Sequence, residues 1–328
     1  MTQSSNRKHA SGESPAWAQE MTQILDAYKL AGGDPEALQL PKVATLVINT
    51  NHILAVHEIP GVVIHAEPLE NGVRADITVE PNTKVEQPIH LCFGVVPADG
   101  VQDIIANYEI GENATAQFLA HCSFPNAVHV KHNMKAHIHV SKNASLTYTE
   151  EHFHGENGGV EVYPFSEVMV DEGGQFFSTF ALTRGRIGLL SIDYQVYAAA
   201  NAVVKMTTKA YGFADDKVKV NEVVHLDGEK ARGLTLSRVA VREHAVSQIF
   251  TTMEGNAAGA RGHMDCTEIV RGQAVAHNTP LVVVRNDQAQ VTHEAAIGSV
   301  NQKELEALMA KGLDEDEAVD LIIRGMIR

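Results

Sequence analysis

A small residue returns at a nearly constant interval between residues 114 and 289. Ala114, Ala144, Gly173, Ala202, Ala231, Ala260 and Ala289 are separated by 30, 29, 29, 29, 29 and 29 residues. Each sits at a bend, in contexts such as ENATAQF, KNASLTY and DQAQVTH, and alternating apolar and polar positions follow it. A second turn falls roughly midway, for example at DDKV (215–218) and EHAV (243–246). A unit of this size cannot bury its apolar face alone, but stacked units cover one another. The repeat therefore predicts a flattened β-solenoid with one coil per ~29 residues. A sandwich of evenly sized hairpins is the competing reading.

The flanks have other periods. Residues 1–14 are polar and rich in Ser, Asn and Gly, as expected of a disordered tail. From Pro15, the apolar residues Trp17, Met21, Ile24, Leu25, Tyr28 and Leu30 have helical spacing that stops at Ala31-Gly32-Gly33. After Pro41 the runs ATLVINT, HILAVHEI, GVVIHAEPL and VRADITVE read as strands. Beyond residue 297 the spacing is helical again, with Ser299 and Gln302 as a capping box, Gly312 as a stop, and Asp314 with Glu317 capping a second helix. Four segments result: a tail (1–14), a helical segment (15–40), an all-β core (41–297) and two C-terminal helices (298–328). Those helices are expected either to cap the last coil or to present a docking surface.

Chemistry is bounded by what the chain contains. Its 26 Lys and Arg against 41 Asp and Glu leave a net charge of −15 without a basic run, which argues against a nucleic-acid partner. No apolar stretch reaches the ~18 residues of a membrane span, and the N-terminus has no apolar secretory core. With three cysteines far apart (Cys92, Cys122, Cys266), a reducing cytoplasm is expected. There is no Gly-Lys P-loop, no Gly-x-Gly dinucleotide turn and no Gly-x-Ser-x-Gly elbow. His293-Glu294 lacks the second histidine of a zinc-protease helix.

Histidine, at 17 residues, is abundant. His137/His139 and His152/His154 are i, i+2 pairs, each on one strand face and in principle capable of holding metal. Without a carboxylate at a cupin-like spacing, they read first as a polar solenoid face or a hydrogen-bonded ladder. Cys92 and Cys122 read as small buried hydrophobes. The last two coils are denser in ligand types: GARGHMDC carries His263, Asp265 and Cys266, and QVTHEAA carries His293 and Glu294. Aligning Ala260 with Ala289 stacks Met264 under His293 and Asp265 under Glu294. Alternation then puts Asp265 and Glu294 on one face, Cys266 and His293 on the other. One thiolate with imidazoles and carboxylates suits an iron or zinc site.

These segments resemble the SufB/SufD family of iron–sulfur cluster assembly scaffolds. The resemblance rests on ARGHMDC, AQVTHEAAIGSV and above all LEALMAKGLDEDEAVDLIIRGMI, with weaker similarity through GRIGLLSIDY and TYTEEHFHGENGGV back to about residue 110. It implies a right-handed parallel β-helix between helical ends, a non-enzymatic scaffold role, and a transient iron–sulfur cluster. It also implies a SufC-type ABC ATPase partner, bound through the C-terminal helices with their Leu305, Leu308, Met309, Leu321 and Ile322 stripes. By the same carry-over Cys266 corresponds to the scaffold cysteine and Glu294 to the acidic ligand, with His293 adjacent and His263 and Asp265 as ligands or orienting groups, near the face where two protomers meet. A sulfur donor and apo-protein acceptors complete the implied partners. The short N-terminus and few cysteines separate this chain from larger SufB proteins, as expected of a compact form in which a homodimer replaces the SufB–SufD pair. The alternatives are a β-solenoid carbohydrate-active enzyme or a His-rich metal-dependent enzyme, which the single Trp and 5% aromatic content disfavour for carbohydrate, and a metal-free adaptor of an ATPase.

Overall fold

The computed structural model describes residues 7–8 and 14–327. The expected tail, 1–14, lies outside them except for β1 (Arg7–Lys8), which pairs antiparallel with β3 (His52–His57), and Ser14. The Ser14 hydroxyl caps α1 (Pro15–Leu30) by accepting from the Trp17 N–H, with Pro15 at the first helical position. Two antiparallel hairpins follow: β2 (Thr45–Asn49) with β3 (His52–His57), and β4 (Val62–Leu69) with β5 (Gly72–Val79). The first strands are thus hairpins rather than complete coils, because the turns between them are too short for a crossover.

From there the chain alternates between two sheets. One stacks β6 (Ile89–Gly94), β8 (Thr115–Ser123), β10 (Ser145–Phe153), β12 (Gln175–Leu182), β14 (Val203–Gly212), β16 (Arg232–Glu243), β18 (Arg261–Gly272) and β20 (Gln290–Gly298) in parallel. The other stacks β7 (Asp99–Ile110), β9 (His129–Val140), β11 (Val160–Val170), β13 (Leu189–Ala198), β15 (Lys217–Leu226), β17 (Val246–Gly255) and β19 (Val275–Val284) on β5. This is a mostly parallel β-solenoid, as the repeat predicted.

The corners explain the repeat and correct one position in it. Asn113, Asn143, Gly173, Asn201, Lys230 and Gly259 adopt left-handed φ of 56–69°, each just before the small buried residue that immediately precedes the next strand. Gln175 pairs with Ser145 and Val203, so Gly174, not Gly173, is the counterpart of Ala144 and Ala202. The opposite corner repeats the device at Gly155, Gly185, Ala214, Glu243 and Gly272, with φ of 53–73°. There the buried Asp216 carboxylate accepts from the backbone of Ile187, Gly188 and Phe213 and from Arg186 Nε, all at 2.9–3.0 Å.

Alternate residues of both sheets fill the interior with Val, Ile, Ala and a few aromatics, such as Tyr108 edge-on to Phe118 at 5.1 Å. Each fully buried large apolar side chain contributes ~1.5–3 kcal/mol. On the outer side of the first sheet, α1 buries Ile24, Ala27 and Tyr28 against Val47, Leu54 and Cys92, and the Tyr28 hydroxyl meets His90 Nδ1 at 2.7 Å. At the other end lie α2 (Gln302–Met309) and α3 (Glu315–Met326). The cap of α2 is Asn301, whose side chain accepts from the N–H of Lys303 and Glu304, rather than Ser299, because Asn301 immediately precedes the first helical residue. The expected Asp314–Glu317 capping box of α3 forms. Both helices pack across Tyr211 of β14, Ala240 of β16 and Ile269 of β18. They lie on the outer face of the sheet rather than over the last coil, and β19 and β20 end their sheets exposed. No helix of the described residues is long and apolar enough to cross a membrane.

Candidate functional site

β18 and β20 carry the residues that the sequence singled out, in the register it predicted: Met264 opposite His293, Asp265 opposite Glu294, Cys266 opposite Ala295. Met264, Cys266 and Glu268 point into the solenoid and are buried, whereas His263 and Asp265 face outward. Cys266 is 1% exposed, with Thr251 Oγ1 at 3.7 Å from its Sγ. Burial pushes its thiol up, partly offset by the hydrogen-bonding groups of Thr251, Ser237 and Asn278.

The outer-facing candidates are already engaged or free in solvent. Asp265 is held by both terminal nitrogens of Arg238, one at 3.0 Å and the other closer, and His263 Nδ1 meets Thr292 Oγ1 at 2.8 Å. Glu294 and His293 are exposed on the last strand. His293 thus shares the Cys266 side and Glu294 does not. One chain brings these groups to one coil but not into one ligand shell.

The interior around Cys266 is more polar than the apolar alternation implied. Thr208 donates to the buried Glu222 carboxyl at 2.5 Å, and Ser247 donates to the buried Glu268. Burial raises Glu222 to about 7, against the pull of the Thr208 hydrogen bond, and raises Glu268 as well. Both acids sit at inward positions of strands whose parity was legible, so the register could have found them.

The C-terminal stripes divide. Leu305 and Ile322 are buried and Leu308 half-buried in the chain's own cluster with Tyr211 and Ile269, leaving Met309, Leu321 and Met326 exposed on the far side. An amphipathic helix spends its main stripe on the surface it covers, and only the second stripe stays outward.

The histidine pairs also part company. His137 and His139 lie on the outer face, where His139 bridges Glu109 at 2.9 Å and Asp171 at 3.0 Å, a hydrogen-bonded ladder as expected. His152 and His154, read as a polar face or ladder, are instead fully interior. With Cys122 and Glu150, His152 forms the one trio of His, Cys and carboxylate groups among the described residues whose ligand atoms all lie within 4.8 Å. Cys122 is buried as expected, yet it has polar neighbours. The signal was in the sequence: Glu150 precedes His152 by two, and Cys122 precedes it by one coil.

Residues 107–326 match the family model described as the SUF system FeS cluster assembly, SufBD core domain. An iron-sulfur cluster assembly SufBD family protein of Methanocaldococcus jannaschii is 40% identical over 309 residues, covering 94% of this chain and 98% of the relative. A SufBD family protein of Pyrococcus horikoshii is 36% identical over 308 residues, 94% of each chain. A 72-residue stretch, 22% of this chain, is 36% identical to a SufBD family protein of Staphylococcus aureus. With a solenoid of 29-residue coils, a cysteine in the penultimate strand of its first sheet and this match along nearly its whole length, the chain belongs to the SufBD family of iron–sulfur cluster assembly proteins.

Proposed function

We propose that this protein is a scaffold on which a nascent iron–sulfur cluster, its cargo, is assembled between two copies of the chain and then released. The observation that carries this reading is the open last coil. β20 is an unpaired edge strand with neither Pro nor Lys to guard it, one strand away from Cys266, whereas the β19 edge carries Pro280. An exposed edge of nine residues with Glu294 as its one carboxylate is a ready template for a second strand. A cluster takes about four protein ligands, mostly thiolates, and one chain offers a single thiol here. Two copies meeting along β20 bring two Cys266 thiols to one seam three strand spacings (~14 Å) apart, and they close on one cluster only once β20 peels aside, with Glu294 and His293 as the exposed groups that complete the set. Carboxylate and imidazole hold iron less firmly than thiolate, which favours hand-off to an acceptor apo-protein.

Cys266 points into the interior, where Thr251 of β17 faces it, so loading requires the last coil to loosen. The C-terminal helices are placed to do this: α3 packs on Ile269 and ion-pairs through Glu315 to Arg271, both on the strand that carries Cys266. A SufC-type ABC ATPase docked on Met309, Leu321 and Met326 would supply the force and the ATP chemistry that this chain lacks. Anaerobic reconstitution with iron and sulfide tests the reading. Wild type is expected to bind both with a visible cluster absorption and Cys266→Ser to bind neither; equal iron and sulfide contents in the two would overturn it.

A further inference from the structure

Midway along the solenoid, far from the last coil, β8 and β10 bring a thiol, a carboxyl and an imidazole together in the interior. His152 is the direct neighbour of Cys122 across the two strands, and Glu150 lies two residues earlier on the same inward face. His152 Nε2 is 2.6 Å from Glu150 Oε1, and Cys122 Sγ is 4.0 Å from that same oxygen. All three side chains are essentially inaccessible.

The hydrogen-bond chain fixes the protons. The Ile187 carbonyl can only accept, so His154 Nδ1, 3.0 Å away, donates to it. A buried imidazole with one N–H already committed to a carbonyl is favoured as the neutral form, so its Nε2 accepts from His152 Nδ1 at 3.2 Å. Tyr148 donates to Glu150 Oε2 at 3.1 Å. One proton therefore lies between Glu150 and His152 Nε2, and Cys122 holds a second as its thiol, which burial pushes well up. Beside this set is His132, fully buried with neither ring nitrogen partnered, its ring 6.2 Å from that of His152. Leaving both nitrogens of an imidazole unbonded in the interior is costly.

We propose that Cys122, Glu150 and His152, completed by His132, form an interior site for one divalent transition-metal ion, zinc or ferrous iron, separate from the cargo site at Cys266. Binding exchanges the ion for two protons: the thiol S–H and the proton shared by Glu150 and His152 leave to solvent as the metal bonds to Sγ, Oε1 and Nε2. Two positive charges replace two, so the buried net charge is unchanged. Donor atoms of a tetrahedral site with these ligands stand ~3.3–3.7 Å apart, so the 4.0 Å and 2.6 Å separations need shifts of ~1 Å or less. His132, whose nitrogens lie outside that trio, turns about its side-chain bonds to supply the fourth donor and gains the partner it lacks. One thiolate, one carboxylate and two imidazoles suit ions of the zinc and ferrous class rather than magnesium or calcium. With its three ligand side chains essentially inaccessible, the ion is acquired as the chain folds.

The test uses cobalt(II) as the probe and the full chain carrying Cys92→Ser and Cys266→Ser, in which Cys122 is the one remaining thiol. Refolded anaerobically with cobalt(II), this variant is expected to bind one ion per chain with thiolate-to-cobalt charge-transfer absorption and tetrahedral ligand-field bands. Adding Cys122→Ser should remove the charge-transfer band, and His132→Ala should weaken binding by ~10-fold or more. A refolded Cys122-only chain without a thiolate–cobalt band overturns the proposal, whether or not the Cys122→Ser protein folds. The scaffold reading stands or falls separately, on Cys266.

Discussion

Asp265 and Glu294 are direct neighbours across β18 and β20, and both face away from the interior into which Cys266 points. Asp265 is clamped by Arg238 and Glu294 is free. Two carboxylates one strand apart thus have different availability for iron. Asp265→Asn is expected to leave reconstituted iron and sulfide at the wild-type level, while Glu294→Ala lowers both. The reverse order, read by metal and acid-labile sulfide counts, would assign the ligand to Asp265.

The edge at β20 makes a prediction about mass. Ile297 is 51% exposed in the single chain, so Ile297→Lys costs the protomer little but would bury a charge in a paired edge. Wild type should have the mass of a dimer by light scattering and the variant that of a monomer. A dimer that survives the lysine places the interface elsewhere.

Docking of an ATPase should separate from folding. Met309→Asp and Leu321→Asp alter exposed positions and should abolish co-purification with the ATPase while leaving Tm unchanged. Ile323→Ala, in the buried cluster, should instead lower stability by ~2–4 kcal/mol. Deleting residues 301–328 is a poorer probe, since it uncovers Tyr211, Ala240 and Ile269.

Glu222 gives the fold a pH dependence. Its carboxyl titrates near 7 in the folded protein against an ordinary value of 4.5, so the folded state holds a proton that the unfolded state has released. Stability is therefore lost as pH rises from ~4.5 to ~7 and then levels off. Glu222→Gln removes that loss, and its advantage over wild type in thermal unfolding should grow across this window to the order of a few kcal/mol. A difference that does not change with pH would show that Glu222 titrates normally.

One corner carries avoidable strain. Ala214 holds φ of 53° and Glu243 62° where Gly155, Gly185 and Gly272 occupy the equivalent turns. Ala214→Gly should gain ~1 kcal/mol, seen as a raised Tm. A lower Tm would mean that the Ala214 methyl contributes more than the backbone strain costs.

What the sequence made legible was whatever obeys the period. Spacing from Ala260 to Ala289 was enough to pair Met264 with His293, because parallel coils repeat their register without a shift. Gly173 slipped by one because a left-handed corner takes Gly or Asn, and Gly173-Gly174 offers two candidates. The α2 cap and the division of the Leu305 and Leu321 stripes depend on where helices settle on the sheet, which no local pattern encodes. The Cys122, Glu150 and His152 cluster was missed for a different reason. Its members lie in two coils, and Cys122 becomes the neighbour of His152 only when those coils are stacked in register.

A stack of coils is also a ruler. Cys122 on β8 and Cys266 on β18 lie five strands apart in one sheet, which at ~4.8 Å per strand sets them ~24 Å apart. No motion short of unfolding closes that distance, so no ion or cluster can be held by both thiols of one chain. Excising one coil would bring them one graduation closer with each side chain facing as before. Deleting one residue within a strand would turn the rest of that strand inside out.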